Sequence, residues 1–497
     1  MQSTILQKID DLAEQRLQHI RNAADEMTVT GKRYYVSTQG DDNADGTSEK
    51  TAWKTLDRVC QATLNPGDGV FFRRGDLFRG TIKAKSGVSY AAYGEGEKPK
   101  LYGWDRDLAD AELWELTDSE KNIWKYKEPI LDVGTLVFDD GKSWCRKLIP
   151  SYIDGAFVCR EDESRIFDMG CEMTQNLDLY WHYDARMTTQ PTKGQDFPIP
   201  VVDDQSYGEL YLRCDDGNPG DVFLTIEALP KRCMFRIGSH SDVHIDNLCI
   251  KYVGHHAISA GGHVKGLQVT NCEIGWIGGT IQHYYGTDPN YPQGGRGTVT
   301  RFGNAVEIYG GCEDYRVENC YIYQCYDAGI THQISTWGKR INMQNIRYLN
   351  NLVERCVYSI EYFLEMLSDD TESCMQDVLI DGNILRLSGY GWGQQRHNVD
   401  TPAHIKGWSY VNRARRFVIS NNVLDRSAYR MVHLVALEPE SCPVMQKNTY
   451  VQTKGGMLGQ YGANKQGEPP VLLYDEQAKA HIKRTFGDTE AVVHYVE

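Results

Sequence analysis

The sequence lacks the marks of an exported or membrane-spanning chain. Across its 497 residues no stretch approaches 18 consecutive apolar residues, and the N-terminus has no basic segment followed by an apolar one. The first absence excludes transmembrane helices, so no membrane partner is expected. The second absence predicts a cytoplasmic protein.

Clustered cysteines are also missing, although the chain has 14 of them. They are scattered, with no C-x-x-C pair, whereas a zinc site needs ligands at short spacings. A disulfide framework is not expected without a secretory signal. We therefore predict reduced, buried cysteines, no metal and no cofactor.

Positive charge is in deficit, since 53 Lys and Arg stand against 68 Asp and Glu, a formal net charge of −15. Such a field repels phosphate and excludes nucleic-acid binding that depends on overall positive charge. The chain also has no P-loop, no Rossmann glycine fingerprint after a strand, no H-E-x-x-H and no G-x-S-x-G. The chemistry that belongs to each of these motifs is therefore not expected.

Glycine and tyrosine, by contrast, are abundant, with 47 Gly and with 30 Tyr against 13 Phe. This mixture is typical of a turn-rich β architecture. The N-terminus is the exception, because apolar residues recur there at helical spacing from Ile5 to Ala24. That spacing predicts an amphipathic helix whose apolar stripe covers a core.

From residue 242 onward one pattern recurs seven times. Each copy has an alternating strand, an Asn, a second apolar strand, a turn and a third short strand, as in DYRVENCYIYQCYDAGITHQ and NIRYLNNLVERCVYSIEYFL. Alignment of the copies places seven asparagines in one column: Asn247, Asn271, Asn319, Asn351, Asn383, Asn422 and Asn448. Equivalent asparagines at turns predict a ladder in which side-chain amides bond from copy to copy. The units therefore stack as coils of a parallel β-helix.

Two earlier segments complete the organisation of the chain. Residues 33–101 contain a Gly/Asp/Asn turn, an amphipathic helix, a second turn and two strands, and residues 104–232 interrupt the coil pattern with short aromatic strands. The opening and the repeats resemble bacterial right-handed parallel β-helix proteins of the pectate-lyase-like superfamily, which include glycoside hydrolases and polysaccharide lyases. The interrupted plan is similar to that of certain β-helix β-xylosidases.

The expected fold is therefore all-β. It is a right-handed single-stranded parallel β-helix with an inserted β-sandwich-like module and a short N-terminal helix. We predict an N-terminal helix and cap at 1–32, first coils with a capping helix at 33–103, the insertion at 104–232, the main β-helix at 233–460 and a C-terminal cap at 461–497. The resemblance implies a carbohydrate as the partner and leaves a homo-oligomer open.

Chemistry is expected on the third strand of each coil, where inward apolar residues alternate with outward ones. The outward column reads Ser259, Glu307, Thr331, Glu361, Lys406 and His433. Loops at 276–303, 334–344 and 388–402 rise beside this face and are rich in aromatic and amide residues. Together they predict a groove rather than a bare surface.

Glycoside hydrolysis uses two carboxyl groups, about 5 Å apart for retention and about 6.5–9.5 Å apart for inversion. Glu307 and Glu361 lie two coils apart in the column, roughly 9–10 Å between backbones, which favours inversion if they are the pair. Asp327 opens the intervening coil, to one side of the column, and is a third candidate. The segments GNAVEIYGG, YDAGITHQ and YSIEYFL resemble recurrent motifs of this β-helix group. The three carboxylates share the acid, base or nucleophile roles in an undecided order.

Further side chains are candidates for binding the sugar through hydroxyl hydrogen bonds or flat apolar faces. They are His332, Gln333, Trp392, Gln395, Arg396, His404, Lys406, Trp408 and His433. Tyr284, Tyr285, Tyr291 and Trp337 offer additional aromatic platforms.

The preferred function from sequence is a glycoside hydrolase, with two alternatives. One is a polysaccharide lyase or uronate epimerase, which would use Lys406 or a histidine as the base. The other is a non-catalytic glycan-binding β-helix, which needs the aromatics but no paired carboxylates. The net charge of −15 leans mildly against a polyuronate substrate.

Overall fold

The three-dimensional structure is a computed structural model of the chain. It describes residues 2–25, 27–183, 189–190, 199–284, 297, 299–336, 340–365, 372–396, 401–408, 413–436, 438–463, 473–474 and 482–497. Three long sheets, two of ten strands and one of eleven, dominate the described part of the chain. All but one of the strand pairings within these three sheets are parallel, which confirms a parallel β-helix.

A typical coil contributes one strand to each sheet. Sheet 1 comprises Arg33–Val36, Gly69–Arg73, Ser89–Tyr93, His244–Asp246, Val264–Lys265, Gln268–Thr270, Cys312–Glu318, Asn342–Leu349, Cys374–Asp381, Ala414–Ser420 and Val444–Gln446. Sheet 2 comprises Leu77–Arg79, Lys100–Tyr102, Cys249–Val253, Glu273–Ile277, Tyr321–Cys325, Leu352–Glu354, Ile384–Ser388, Val423–Ser427, Thr449–Thr453 and Val492–Val496. Sheet 3 comprises Ile82–Lys83, Phe235–Gly238, Ile258–Gly261, Val306–Tyr309, Ala328–Ser335, Tyr358–Glu365, Ala403–Gly407, Arg430–Ala436, Met457–Ala463 and Leu473–Tyr474.

The interior of the coils is one continuous apolar core. In sheet 3 the paired inward residues follow one another from coil to coil, and each is fully buried: Ile258, Val306, Ile330, Ile360, Ile405 and Val432. Because strand side chains alternate between faces, this inward column fixes which residues face outward beside it.

The asparagine ladder is shorter than the sequence alignment predicts. Asn351, Asn383, Asn422 and Asn448 form it, with amide-to-amide hydrogen bonds of 2.9, 2.9 and 3.0 Å, and Asp488 accepts the last amide at 3.0 Å. The side-chain oxygens of Asn383, Asn422 and Asn448 also accept a backbone N–H, in each case that of the ladder asparagine in the preceding coil.

Three asparagines assigned to that column belong one residue earlier. Asn247, Asn271 and Asn319 have φ of 62°, 52° and 50°, and so occupy the left-handed turn position that Asn350 and Asn421 fill in later coils. The residue equivalent to Asn351 in its preceding coil is Cys320, whose backbone N–H donates to the Asn351 oxygen at 3.0 Å. Asparagine tolerates the left-handed conformation, so it is favoured at the turn position as well as at the ladder position that follows. The sequence alignment therefore placed these three residues one position too late.

Replacing Asn383 by alanine is expected to destabilise the protein by about 3 kcal/mol, because buried donors and acceptors lose their partners. The side chain accepts from Asn351 and donates to Asn422 and to the Tyr348 carbonyl at 2.9 Å. Chemical denaturation followed by circular dichroism measures the change. The control is Asn421→Gly at the exposed turn position, where we expect a change of about 1 kcal/mol or less because Gly adopts positive φ freely. Equal effects at the two positions would contradict the ladder assignment.

Helices cover two surfaces of the coil stack. The helix Gln2–Arg21 buries Ile9, Ala13 and Ile20, and it packs along the outer face of sheet 2 against Leu352 and Ile384. The helix Leu56–Gln61 packs its buried Leu56 and Val59 into the main core near the first coils, and the Thr55 side chain caps its N-terminus. Short helices span Met169–Glu172 and Pro219–Val222, and 3-10 turns span Glu49–Thr51, Ala111–Leu113, Trp392–Gln395 and Pro439–Ser441.

Between sheet 2 strand Lys100–Tyr102 and sheet 3 strand Phe235–Gly238 the chain leaves the coils and forms separate β structure. Its strands are Trp114–Asp118, Ile123–Tyr126, Ile130–Leu131, Val133–Phe138, Ser143–Trp144, Arg146–Lys147, Ser151–Ile153, Ala156–Val158, Asp178–His182, Thr189–Gln190, Ile199–Pro200, Tyr207–Arg213 and Ile226–Pro230. A six-stranded and a three-stranded sheet share an apolar core that also takes in Ile281 and Tyr284 from the hairpin Thr280–Tyr284 and Val299–Phe302. The insertion is therefore packed onto the coil stack through this hairpin.

Several absences concern the described residues only. All 14 cysteines are free. Within the described ranges no group of three or more His, Cys, Asp or Glu side chains is placed to hold a metal ion. In that same part of the chain, no helix is long and apolar enough to cross a membrane.

Candidate active site

The outward column on sheet 3 has the register that the alternation predicts. Ser259 pairs with Glu307, Thr331 with Glu361, Glu361 with Lys406, and Lys406 with His433. The pairing of Val306 with Ile330 places Thr331 beside Glu307. Glu307 and Glu361 therefore lie two coils apart on one face.

Glu307 is held by a complete set of side-chain donors. Its Oε2 accepts from the amide of Asn304 at 2.7 Å and from the hydroxyl of Thr331 at 2.5 Å. The amide of Gln333 donates to both oxygens, at 2.9 and 3.1 Å. These donors fix the carboxylate, which is only 3% exposed, and stabilise its negative charge.

Asp327 forms an ion pair with the guanidinium of Arg396 at the corner where sheet 3 begins. Burial raises the pKa of Asp327; the charge of Arg396 opposes that shift, and the charge of Glu307 adds to it. The same ion pair raises the pKa of Arg396. Asn304 connects this corner to the column, since its oxygen accepts the backbone N–H of Ala328 at 2.7 Å while its amide holds Glu307.

Among the residues that the structure describes, Glu361 has no such cation partner, and its side chain accepts the indole N–H of Trp408. Burial raises its pKa well above the ordinary value, and the negative charges of Asp327 and then Glu307 raise it further against the opposing charge of Arg396. The three carboxyl groups thus form one electrostatic unit. Glu361 is the member that most favours the protonated form.

The column continues beyond Glu361 with Lys406 and His433. The ammonium of Lys406, itself only 2% exposed, lies 4.1 Å from the ring centre of Trp408, whose own exposure is 38%. Burial lowers the pKa of His433 well below its ordinary value, and the neighbouring charges of Lys406 and Arg430 lower it further. Trp408 therefore presents a partly exposed aromatic surface directly beside Glu361.

Two predicted binding residues point into the coil interior instead. His332 is fully buried, its Nδ1 lies 2.7 Å from the Tyr348 hydroxyl, and its ring stacks on Tyr362. His404 is also fully buried, with its Nδ1 3.3 Å from the Ser359 hydroxyl. Burial lowers the pKa of His332 to about 3 and that of His404 to about 4. Neither imidazole faces the groove, so their expected contact with substrate is incorrect.

Trp392 and Gln395 also lie away from the outward column. Trp392 is 1% exposed and packs with Tyr326, and its indole N–H donates to the Gln324 carbonyl at 2.7 Å. Gln395 donates to the Cys145 carbonyl at 2.6 Å and accepts from the Lys147 backbone at 3.1 Å. Both residues attach the 388–402 loop to its surroundings, and the aromatic platform predicted at Trp392 is incorrect. Trp337, Tyr285 and Tyr291 lie outside the described residues, as do parts of all three predicted loops.

The structure adds three residues that the sequence analysis did not select. His256 accepts the Asn304 backbone N–H at 3.0 Å, and burial lowers its pKa against the opposing negative charges of Glu307 and Asp327. Tyr309 and Phe363 flank Gln333 on the next outward row, with their ring centres 6.3 Å apart. Counting two residues onward along each strand would have found this second row.

No protein-family model matches the chain, and no curated protein sequence matches it. Among solved structures, XylC in complex with xylose shares 11% identity, with 85% of this chain and 69% of the other covered, at a TM-score of 0.44. A lacto-N-biosidase from Eubacterium ramulus shares 11% identity over 98% and 70% of the two chains, at 0.34. A rhamnogalacturonan lyase shares 11% identity over 89% and 79%, at 0.37.

Proposed function

We propose that the protein is a glycoside hydrolase whose site is the outward face of sheet 3. The supporting observation is the cluster of three buried carboxyl groups, Glu307, Asp327 and Glu361, in three successive coils. Within it, one group favours its protonated form, one is paired with an arginine, and one is fixed by neutral donors. Glycoside hydrolysis needs this division of labour between a proton donor and a charged carboxylate.

Glu361 is the proposed general acid. A general acid must keep its proton near neutral pH and release it to the departing oxygen. The raised pKa of Glu361 meets the first requirement, and the indole of Trp408 orients the carboxyl group. Trp408 also offers the flat apolar face that sugars stack on.

Asp327 is the proposed charged partner, acting as base or nucleophile. Arg396 stabilises its carboxylate, so in the coupled pair Asp327 gives up its proton before Glu361. Glu307 then serves as a fixed negative charge that helps Glu361 to hold its proton. Gln333, Lys406 and His433 lie along the same face and are proposed to bind sugar hydroxyls.

The test is a screen of oligosaccharides and aryl glycosides, with product masses measured. A hydrolase product gains one water and has a new reducing end, with no new absorbance in the near ultraviolet. An unsaturated uronate product would establish a lyase instead, and sugar affinity without turnover on any glycan would establish a binding protein. Proton NMR of the first-formed anomer then decides between retention and inversion.

The charge of Glu307 gives a prediction for the pH profile of turnover. Glu307→Gln removes a negative charge that raises the pKa of Glu361, so that pKa falls. The limb on which kcat/KM declines with rising pH is expected to move to lower pH by about 0.5–1 unit. The control is Glu313→Gln on sheet 1, which should leave the profile unchanged. An unmoved limb in Glu307→Gln would show that Glu361 is not the proton donor.

A further inference from the structure

A cavity of about 240 Å³ lies where the insertion meets the coil stack. We call it the seam pocket. The insertion contributes three cations and two carboxylates to its lining, and the coil side contributes a fourth cation and an amide: Arg146, Lys147, Arg160, Glu161, Glu172, Arg301 and Gln395. Glu172 is paired with Arg165. The two hydrogen bonds that attach Gln395 to Cys145 and Lys147 hold the two sides together. The seam pocket is thus built from two parts of the chain that these hydrogen bonds join.

Its cationic side chains are not equally compensated. Arg146 has a bidentate ion pair with Asp178, with both contacts at 2.7 Å, and Lys147 pairs with Asp132. Arg301, which is buried, donates instead to the carbonyls of Gly279 at 2.6 Å and Gly134 at 2.9 Å. Arg146 and Lys147 are therefore each paired with a carboxylate. Among the described residues, Arg301 has no carboxylate partner.

Arg160 is the least compensated cation of the seam pocket. Within the described part of the chain, no hydrogen bond or ion pair joins its guanidinium to another residue. Burial lowers the pKa of Arg160 to about 10, and the charge of Arg301 adds to that shift against the opposing charge of Glu161. Both guanidinium groups stay charged at neutral pH. A partly buried charge without a partner is costly, and an anion in the cavity would remove that cost.

The seam pocket also adjoins the proposed active site. Gln395 lines it, and the next residue, Arg396, pairs with Asp327. On the other side, the Arg301 guanidinium lies 4.3 Å above the ring of Tyr326, and Tyr326 precedes Asp327 in the chain. Arg396 is therefore next in the chain to Gln395, which lines the pocket. Asp327 is next to Tyr326, whose ring packs against the pocket residue Arg301. Consecutive Cα atoms are about 3.8 Å apart, so the two sites are neighbours.

We propose that the seam pocket binds the oxyanion of an acidic sugar, either a carboxylate or a phosphate. Guanidinium groups match both oxyanions because their planar N–H groups donate in pairs. The cavity is too small for a whole oligosaccharide, but it is large enough for the charged group and part of one ring. The substrates of the neighbouring site are then acidic glycosides, a second step that rests on the proposed function.

The test is isothermal titration of the full chain with glucuronate, glucose 6-phosphate, glucose and inorganic phosphate. We expect the two anionic sugars to bind at least about 10-fold more tightly than glucose, and their binding to weaken as NaCl is raised. The tighter of the two identifies the oxyanion. Anionic sugars that bind no better than glucose, or no better than inorganic phosphate, would overturn the proposal.

Two variants locate the binding in the seam pocket. Arg160→Gln is expected to weaken the anionic sugars at least about 10-fold, and Glu161→Gln, which removes a negative charge at the pocket, to strengthen them a few-fold. The matched control is Arg106→Gln, which removes an exposed arginine of the insertion that pairs with Glu128 at 3.2 Å. It should bind like the wild type. An Arg160→Gln variant that keeps full affinity would place the anion elsewhere.

Steady-state kinetics test separately whether the substrates of the neighbouring site are acidic glycosides. On an acidic substrate, Arg160→Gln should raise KM while changing kcat little, since Arg160 contacts none of the three carboxyl groups. If anionic sugars bind through Arg160 but no glycan is ever hydrolysed, the seam pocket stands and the hydrolase assignment fails. If hydrolysis occurs and anionic sugars do not bind, the seam pocket proposal alone fails.

Discussion

Replacing Glu361 by glutamine is expected to lower kcat by at least about 10³-fold, the usual loss for a removed general acid. Glutamine has the same shape and can still accept the indole N–H of Trp408, but it has no proton to give. The measurement is steady-state kinetics on whichever glycoside the screen identifies. The matched control is Glu365→Gln on the same strand, whose carboxylate accepts from Ser335 at 2.9 Å and which should keep wild-type turnover.

Leaving-group dependence makes this prediction specific to acid catalysis. An aryl glycoside whose phenol is strongly acidic needs little protonation, so the loss in Glu361→Gln should shrink on it and grow on alkyl glycosides. An equal loss on both kinds of substrate would assign Glu361 another role.

Stability should change in the opposite direction to activity. The folded-state pKa of Glu361 is raised, so its contribution to stability is complete at low pH and is lost as pH rises through that pKa. Glutamine cannot ionise, so the Glu361→Gln variant does not lose this stability as pH rises. We therefore expect the variant to melt at a higher temperature than the wild type above the raised pKa, with a difference that shrinks as pH falls and vanishes below the ordinary pKa of glutamic acid.

Asp327→Asn is the second variant with a large expected effect, a loss of kcat of about 10³-fold or more. Asparagine can neither attack the sugar nor activate water, and it leaves Arg396 without its carboxylate. The control is Asp381→Asn on sheet 1, where the carboxylate accepts from Ser420 at 2.6 Å and Asn421 at 2.7 Å, far from the outward column in the coil. That variant should keep its turnover.

The anomeric configuration of the wild-type product separates the two roles open to Asp327, because a nucleophile gives retention and a base gives inversion. In both cases external azide should restore turnover in a variant with a small residue in place of Asp327, and it should give a glycosyl azide of inverted configuration relative to the substrate. Full activity in Asp327→Asn together with complete loss in Glu307→Gln would make Glu307 the partner of Glu361 instead.

The outward column could be predicted because two simple rules determine it. Side chains alternate along a strand, and stacked coils keep parallel register, so the inward residues Ile330 and Ile360 fix Thr331 and Glu361 as outward neighbours. The asparagine column lacked such a constraint. Asn350 and Asn351 are adjacent, and the turn and ladder positions both accept asparagine, so sequence alone did not separate them.

The incorrect binding residues have a different cause, because alternation fails where the chain turns a corner. His404 and Ile405 are consecutive and both point into the interior, so extending the alternation backward from Lys406 placed His404 on the wrong side. The positions of Trp392 and Gln395 depend on contacts with Gln324, Cys145 and Lys147. These partners are tens to hundreds of residues away, and no local pattern encodes such contacts.

In the stacked coils, the distance between functional groups on the outward face can take only values set by a whole number of coils. Each outward position repeats after one coil, about 4.8 Å along the axis. A substitution can change which side chain occupies an outward position; Thr331, for example, occupies the position between Glu307 and Glu361. A substitution cannot change the distance between successive positions. A relative of this protein that gained or lost one coil between these positions would have its carboxyl groups moved by a whole step. In a glycoside hydrolase whose catalytic pair stood at two such positions, the stereochemistry of cleavage would then change abruptly, because it depends on the distance between the two carboxyl groups.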